Sequence, residues 1–238
     1  MTPPRRALLA LLLLVPAASL GTMAGLAWGP GTWWGQSLYA LAKLYLLALP
    51  LFWLLRLDRQ PLSLSPPRHG GLLPGLALGL LMAALTLGAY AIARHHHWLS
   101  PANLKALAAK NHLTNPAIYF AFALWTTLVN ALEEEYVWRW FVTEKSAELL
   151  APFRIPHFAL RILPAALAAA CFTLHHALVL ALYFPPAIVL LASLGVFLGG
   201  FLWSLLYLRY RSLWPAYLAH TLADLAIFVI GYHLIFLA

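Results

Sequence analysis

Apolar residues in this chain come in long blocks, and polar residues come in short clusters between them. Blocks near 7–28, 36–56, 71–93, 116–140, 160–184, 186–208 and 213–236 each approach the roughly 20 residues of helix that cross a bilayer core. A helix satisfies its own backbone hydrogen bonds there. Turn formers agree with the divisions. Gly29-Pro30-Gly31, the stretch 61–71 with Pro66-Pro67, Pro101, Pro116, Pro152, Pro156 and Pro185-Pro186 fall between blocks or in their first turn, where proline is tolerated. Pro16 and Pro50 fall inside and are expected to kink their helices. Residues 98–115 predict a short surface helix, with Ser100 as N-cap and Pro101 at the first position. The pattern therefore predicts an all-α, polytopic transmembrane helix bundle of about seven spans, without repeats or low-complexity tracts. Arg5-Arg6 followed by an apolar run also resembles a cleaved signal peptide; an uncleaved helix is preferred because the apolar character continues through Trp28.

Composition supports the pattern. The hydrophobic share is 63% and the charged share 9%, with a mean hydropathy of +0.81, against about 25% charged residues in soluble domains. A formal net charge of +8 raises the question of nucleic acid, but the basic residues stand singly at the ends of apolar runs rather than on one face, which argues against it. Their placement gives orientation instead, since cytoplasmic loops are enriched in Lys and Arg. Arg5, Arg6, Arg56, Arg59, Arg68, Lys145, Arg154, Arg161, Arg209 and Arg211 fall on one side, and Arg94, Lys105 and Lys110 on the other. The N-terminus is expected inside and the C-terminus outside. Lys43 and Arg139 lie within spans. The single Cys171 is read as a packing residue, and His95-His96-His97 as a solvated loop.

An ionisable side chain inside a span costs at least about 2.5 kcal/mol on insertion scales, so each one raises a functional question. Glu133, Glu134, Glu135 and Arg139 lie near the inner end of the fourth block, His175 and His176 in the fifth, and His220, Asp224 and His233 in the seventh. Glu135 and Arg139 share a helix face at i,i+4 spacing, as do His220 and Asp224. His220 lies about 10 Å along a helix that starts near Leu213, so the acids and the imidazoles can meet at one depth. Glu133 is expected on the far face, Glu144 and Glu148 in a solvated extension, His175 as a supporting residue and His233 near the outer interface.

Three short motifs hold these residues in order: Glu134-Glu135-Tyr136-Val137-Trp138-Arg139, then Phe172-Thr173-Leu174-His175-His176, then His220-Thr221-Leu222-Ala223-Asp224. The arrangement resembles the CAAX-processing and bacteriocin-processing intramembrane endopeptidases, whose core carries EExxxR, FxxxH and HxxxN/D helices. The similarity covers about 116–236, which divides the chain into N-terminal helices at 1–115 without a family motif and a protease-like core at 116–238. The resemblance implies that Glu134 with His176 binds and deprotonates water, that Arg139 holds Glu135, and that His220 with Asp224 faces the scissile carbonyl. Asp224 departs from the Asn of many relatives. An ionised Asp cannot donate to an oxyanion, but it can orient His220.

No cofactor is favoured. Zinc is the alternative, with Glu134, His176 and His220 as a His₂Glu set. The expected partners are the lipid bilayer and a membrane-associated protein or peptide cut near its C-terminus or membrane anchor. The expected location is a cell membrane, by chain compactness a prokaryotic plasma membrane. A proton-coupled transporter or channel, or an inactive membrane scaffold, are the competing functions for the same buried charges.

Overall fold

The computed structural model describes residues 2–62, 65–67, 70–98, 101–153, 156 and 159–238, apart from the side chain of residue 103. Arg68 and Arg154, used in the orientation argument, and Ser100, the expected N-cap, lie outside the described residues. Among those described there are eight helices and no strand. They are α1 (Pro3–Trp28), α2 (Trp33–Asp58) and α3 (Leu72–His95), the short α4 (Ala102–Lys110), α5 (116–150), and α6 (Ala159–Tyr183), α7 (Pro186–Tyr210) and α8 (Trp214–Leu237). All but α4 and α5 are long and apolar enough to cross a membrane. α5 is longer still, but its acidic cluster sets it apart in composition. The protein is a polytopic all-α bundle.

Helix starts follow local chemistry. Asn115 Oδ1 accepts from the backbone N of Ala117 at 2.9 Å and of Ile118 at 3.4 Å, with Pro116 at the first position of α5, so the orphan amides of that end are satisfied. Thr32 Oγ1 does the same for α2, accepting from Gly35 N at 3.2 Å. Pro16 and Pro50 lie inside α1 and α2 as expected, and helix continues on both sides of each.

α3 and α8 pack through small residues. Gly75 lies against the backbone of Pro215, and Gly79 lies so close to α8 that a Cβ would sit 2.8 Å from Ala219 Cα. Small residues spaced by four let two membrane helices approach until their backbones touch. Here that contact fixes α8 at Ala219, one residue before His220. The core that joins the remaining helices contains Leu14 of α1, Val137 and Trp138 of α5, Phe172 of α6 and Trp203 of α7.

Polar contacts gather at the two ends. At one, Arg6 donates to the Leu57 carbonyl at 3.1 Å, Lys145 bridges Asp58 at 2.6 Å and Glu148 at 2.7 Å, and Arg211 pairs with Glu144 at 2.7 Å. At the other, Lys105 donates to the Ala238 carbonyl at 2.6 Å and Arg94 to His233 Nε2 at 2.8 Å, with Tyr90 on Nδ1 at 2.7 Å. In the expected solvated extension of α5, Glu148 is 40% exposed, whereas Glu144 is drawn into contacts with its neighbours. Glu144 also accepts from the Tyr207 hydroxyl at 2.9 Å, because the last turns of α5 pass beside the end of α7.

Candidate active site

α5 is not a uniform α-helix. Thr126–Asn130 and Glu135–Val142 are wound as π-helix, a form that recurs at functional sites because its wider turn redirects side chains. The acidic cluster straddles the second of these stretches. Glu135 and Arg139 are both completely buried and form the expected i,i+4 pair at 3.4 Å. Arg139 Nη1 donates onward to the Gly200 carbonyl at 2.8 Å and to Ser204 Oγ at 3.2 Å, and the guanidinium lies over the Phe172 ring at 4.4 Å. The charge is therefore fixed between α5, α6 and α7.

Glu135 Oε1 also meets His220 Nδ1 at 2.9 Å. A carboxylate only accepts, so that contact places a proton on Nδ1. The other ring nitrogen, Nε2, lies 3.6 Å from Glu134 Oε2 and 3.5 Å from Asp224 Oδ1. Trp203 stacks on the imidazole with centroids 4.2 Å apart and planes 20° apart. His220 is thus clamped on one edge by an acid held by arginine and on one face by an indole.

Glu134 turns the other way. Its Oε1 accepts from Asn130 Nδ2 at 3.1 Å and lies 3.9 Å from His175 Nε2. His176 Nδ1 donates to the Phe172 carbonyl at 3.0 Å, which leaves a lone pair on its Nε2. Glu134, His175 and His176 line a cavity of about 410 Å³. Its other walls come from α1 through Gly21 and Gly25, from α2 through Tyr39 and Lys43, and from apolar residues such as Leu46, Phe122 and Val179. A mostly apolar pocket with a few convergent polar groups is the usual form of a ligand site.

All six residues singled out in the sequence, Glu134, Glu135, Arg139, His176, His220 and Asp224, meet in this region. Glu134 and His176 line the cavity. Arg139, Glu135 and His220 are almost wholly buried, and Asp224 is partly exposed beside His220.

One sequence expectation changes. Glu133 does not sit on a far, empty face: it lines the cavity and pairs with Lys43 at 3.3 Å, because α2 covers the side of α5 that periodicity alone left unassigned. His175 lies 3.9 Å from Glu134 and stacks on Trp138 at 5.3 Å, and it lines the cavity beside His176. Lys43 and Asn130 were missed as site residues. The signal for Lys43 was available, since it is a lone charge in the middle of an apolar span.

The chemistry of the donors also permits a test for zinc. The group whose ligand atoms converge is Glu134, His175 and His176, all within 4.8 Å of one another, with His175 where the sequence suggested His220. Bonds of about 2.1 Å put tetrahedral zinc ligands about 3.4 Å apart, closer than the 3.9 Å between Glu134 and His175. The Nδ1 of His175 is buried without a partner, whereas a ligating imidazole is ordinarily held through its second nitrogen. The three ligand atoms form a candidate metal group, in which tetrahedral zinc would need Glu134 and His175 to draw about half an ångström closer.

Residues 116–226 match the family model described as type II CAAX prenyl endopeptidase Rce1-like. This stretch of the chain is similar to the CAAX endopeptidases. The matched region begins at the first residue of α5 and ends within α8, so it takes in all three motifs. No curated protein and no solved structure matches the chain. The family matched is one of proteases, and the six long apolar helices make this a multi-pass membrane protein.

Proposed function

We propose that the protein is a glutamate-dependent intramembrane endopeptidase that cuts near the C-terminus or membrane anchor of a protein or peptide, the substrate class in the family description being prenylated CAAX ends. The observation that carries the reading is the meeting of Glu134, His176 and His220 from three separate helices beside one cavity. Chance would not often assemble an acid and imidazoles there, since each costs free energy to insert.

In the proposed reaction, water enters the cavity beside Glu134 and His176. Glu134 takes a proton from it, and the hydroxide adds to the scissile carbonyl. His220 serves as the imidazolium: its Nδ1–H donates to Glu135, which with Asp224 beside Nε2 fixes the ring, and its Nε2–H faces the developing oxyanion. Asp224 orients the ring rather than donating, because an ionised carboxylate has no proton to give. Collapse of the tetrahedral intermediate breaks the C–N bond, and Glu134 returns its proton to the departing amine. Arg139 balances Glu135 and never meets the substrate. No step uses a metal, so activity of purified protein is expected to survive a strong chelator that removes zinc.

The membrane arrangement proposed with this activity has seven crossings, α5 included, with the N-terminus inside and the C-terminus outside. It is supported by the contacts that place Arg6, Lys145 and Arg211 at one end and Arg94 and Lys105 at the other. A C-terminal tag cut by protease only from the cytoplasmic side would refute it. The division at residue 115 into N-terminal helices and protease core is proposed as one of sequence similarity only, since α1 and α2 wall the same cavity.

The function is tested by comparing the membrane proteomes of cells that carry wild-type protein or the Glu134→Ala variant. A precursor with an intact C-terminal segment should accumulate with the variant alone. Identical processing in both strains, with equal amounts of inserted protein, would reject peptidase activity.

A further inference from the structure

The part of the chain outside the family match reaches the base. Lys43 stands in the middle of α2, where its neighbours in sequence are apolar, and its side chain is 18% exposed. Two groups of α5 receive its ammonium: Glu133 Oε2 at 3.3 Å and, in a closer contact, Asn130 Oδ1. Asn130 is itself buried and donates through Nδ2 to Glu134 Oε1 at 3.1 Å. The chain of contacts is continuous from α2 to the carboxylate.

Each contact has one direction only. An ammonium has three donors and no acceptor, so it selects the oxygen end of the Asn130 amide. The nitrogen end is then aimed at Glu134, and a donated hydrogen bond settles which carboxylate oxygen is occupied. Oε1 is taken by Asn130, and Oε2 is left toward His220. Glu133 completes the arrangement by balancing the ammonium, which would otherwise attract Glu134 directly and pull it from the histidines. Three adjacent acids on α5 thus have three distinct neighbours: Lys43 for Glu133, Asn130 for Glu134, and Arg139 for Glu135.

We propose that Lys43 and Asn130 are positioning residues for the peptidase, a relay through which α2 holds the Glu134 carboxylate in the orientation that accepts the proton of water. The inference rests on the reading of Glu134 as the base. It assigns a role in the reaction to the N-terminal helices, which the similarity at 116–226 does not reach. It also explains why an amide sits one turn before the catalytic acid, at a position where an apolar residue would suit a membrane helix better.

The test uses full-length protein in detergent with two fluorogenic reporter peptides, one farnesylated at a C-terminal cysteine motif and one not. Lys43→Met is made together with Glu133→Gln, so that no buried carboxylate is left unpaired. This double variant is expected to lower kcat about 10- to 100-fold, the scale of a misplaced reacting group, with KM little changed. Asn130→Leu should give a similar loss. Combining all three changes should cost little beyond either, since residues in one network are not additive. Lys43→Arg should recover most of the rate.

A rise in KM with kcat preserved would overturn the proposal in favour of direct substrate contact by Lys43. Independent, additive losses, or a kcat equal to wild type with both variants folded by thermal unfolding, would also overturn it. If Glu134→Gln cleaves normally, or wild type cleaves neither peptide, the peptidase reading itself fails and the relay fails with it. The two failures are therefore distinguishable.

Discussion

Glu134→Gln is expected to lower peptide hydrolysis by about three orders of magnitude, the middle of the range for a positioned general base, while the protein remains folded and inserted. The amide is nearly the size and shape of the carboxylate it replaces, and its oxygen can still accept from Asn130 at the place where Oε1 does so at 3.1 Å. Its nitrogen then lies where Oε2 faces His220 Nε2 at 3.6 Å. Packing is therefore preserved. What is lost is the ability to take a proton from water, because an amide has no basic lone pair to offer at neutral pH. Binding of a reporter peptide should persist, so KM or the affinity of an uncleaved analogue is the useful control. A Gln variant with more than a tenth of the wild-type rate would mean that another group activates water, with His176 the first candidate because its Nε2 carries a free lone pair.

The sequence displayed the parts of this site that are local and concealed those that are not. Glu135 and Arg139 pair within one helix, at a spacing that any α-helical face brings together, and the pair could be expected before any coordinates. The helix starts were also legible, several of them marked by prolines, whereas α5 runs to residue 150 rather than ending near 140. The pairing of Lys43 with Glu133 spans two helices far apart in sequence, and nothing in hydrophobic periodicity says which face of α5 meets α2. Glu133 was accordingly misplaced.

The histidines illustrate a subtler limit. Motif spacing picks out His176, yet the two rings lie 4.2 Å apart and both line the cavity, with His175 held by Trp138. A rule that assigns one residue per helix face cannot anticipate two adjacent rings sharing a wall. Nor does any pattern of residues announce the π-helical turns at Thr126–Asn130 and Glu135–Val142, which depend on what packs around α5. Here the motif located the chemistry, and the packing of α2, α6 and α8 decided its geometry.

Arg139→Met is expected to destabilise the protein by about 3–5 kcal/mol, the usual consequence of removing one member of a buried ion pair. Both partners are fully inaccessible, so no water can replace the guanidinium beside Glu135. The donors lost by the Gly200 carbonyl and Ser204 add to the loss. Thermal or denaturant unfolding in detergent should show a lower midpoint and a smaller yield of folded protein. Adding Glu135→Gln removes the stranded charge, and the double variant should regain much of that stability, as neutral replacements of buried pairs commonly do. Activity should not return with it. His220 would have lost the carboxylate that fixes its Nδ1 proton at 2.9 Å, leaving a ring free to turn from the substrate. Folding and catalysis would then separate in one pair of variants: the ion pair would be dispensable for the bundle and required for the orientation of the imidazole. A double variant that is both stable and fully active would show that Glu135 serves only Arg139, and the clamp on His220 would lose its place in the mechanism.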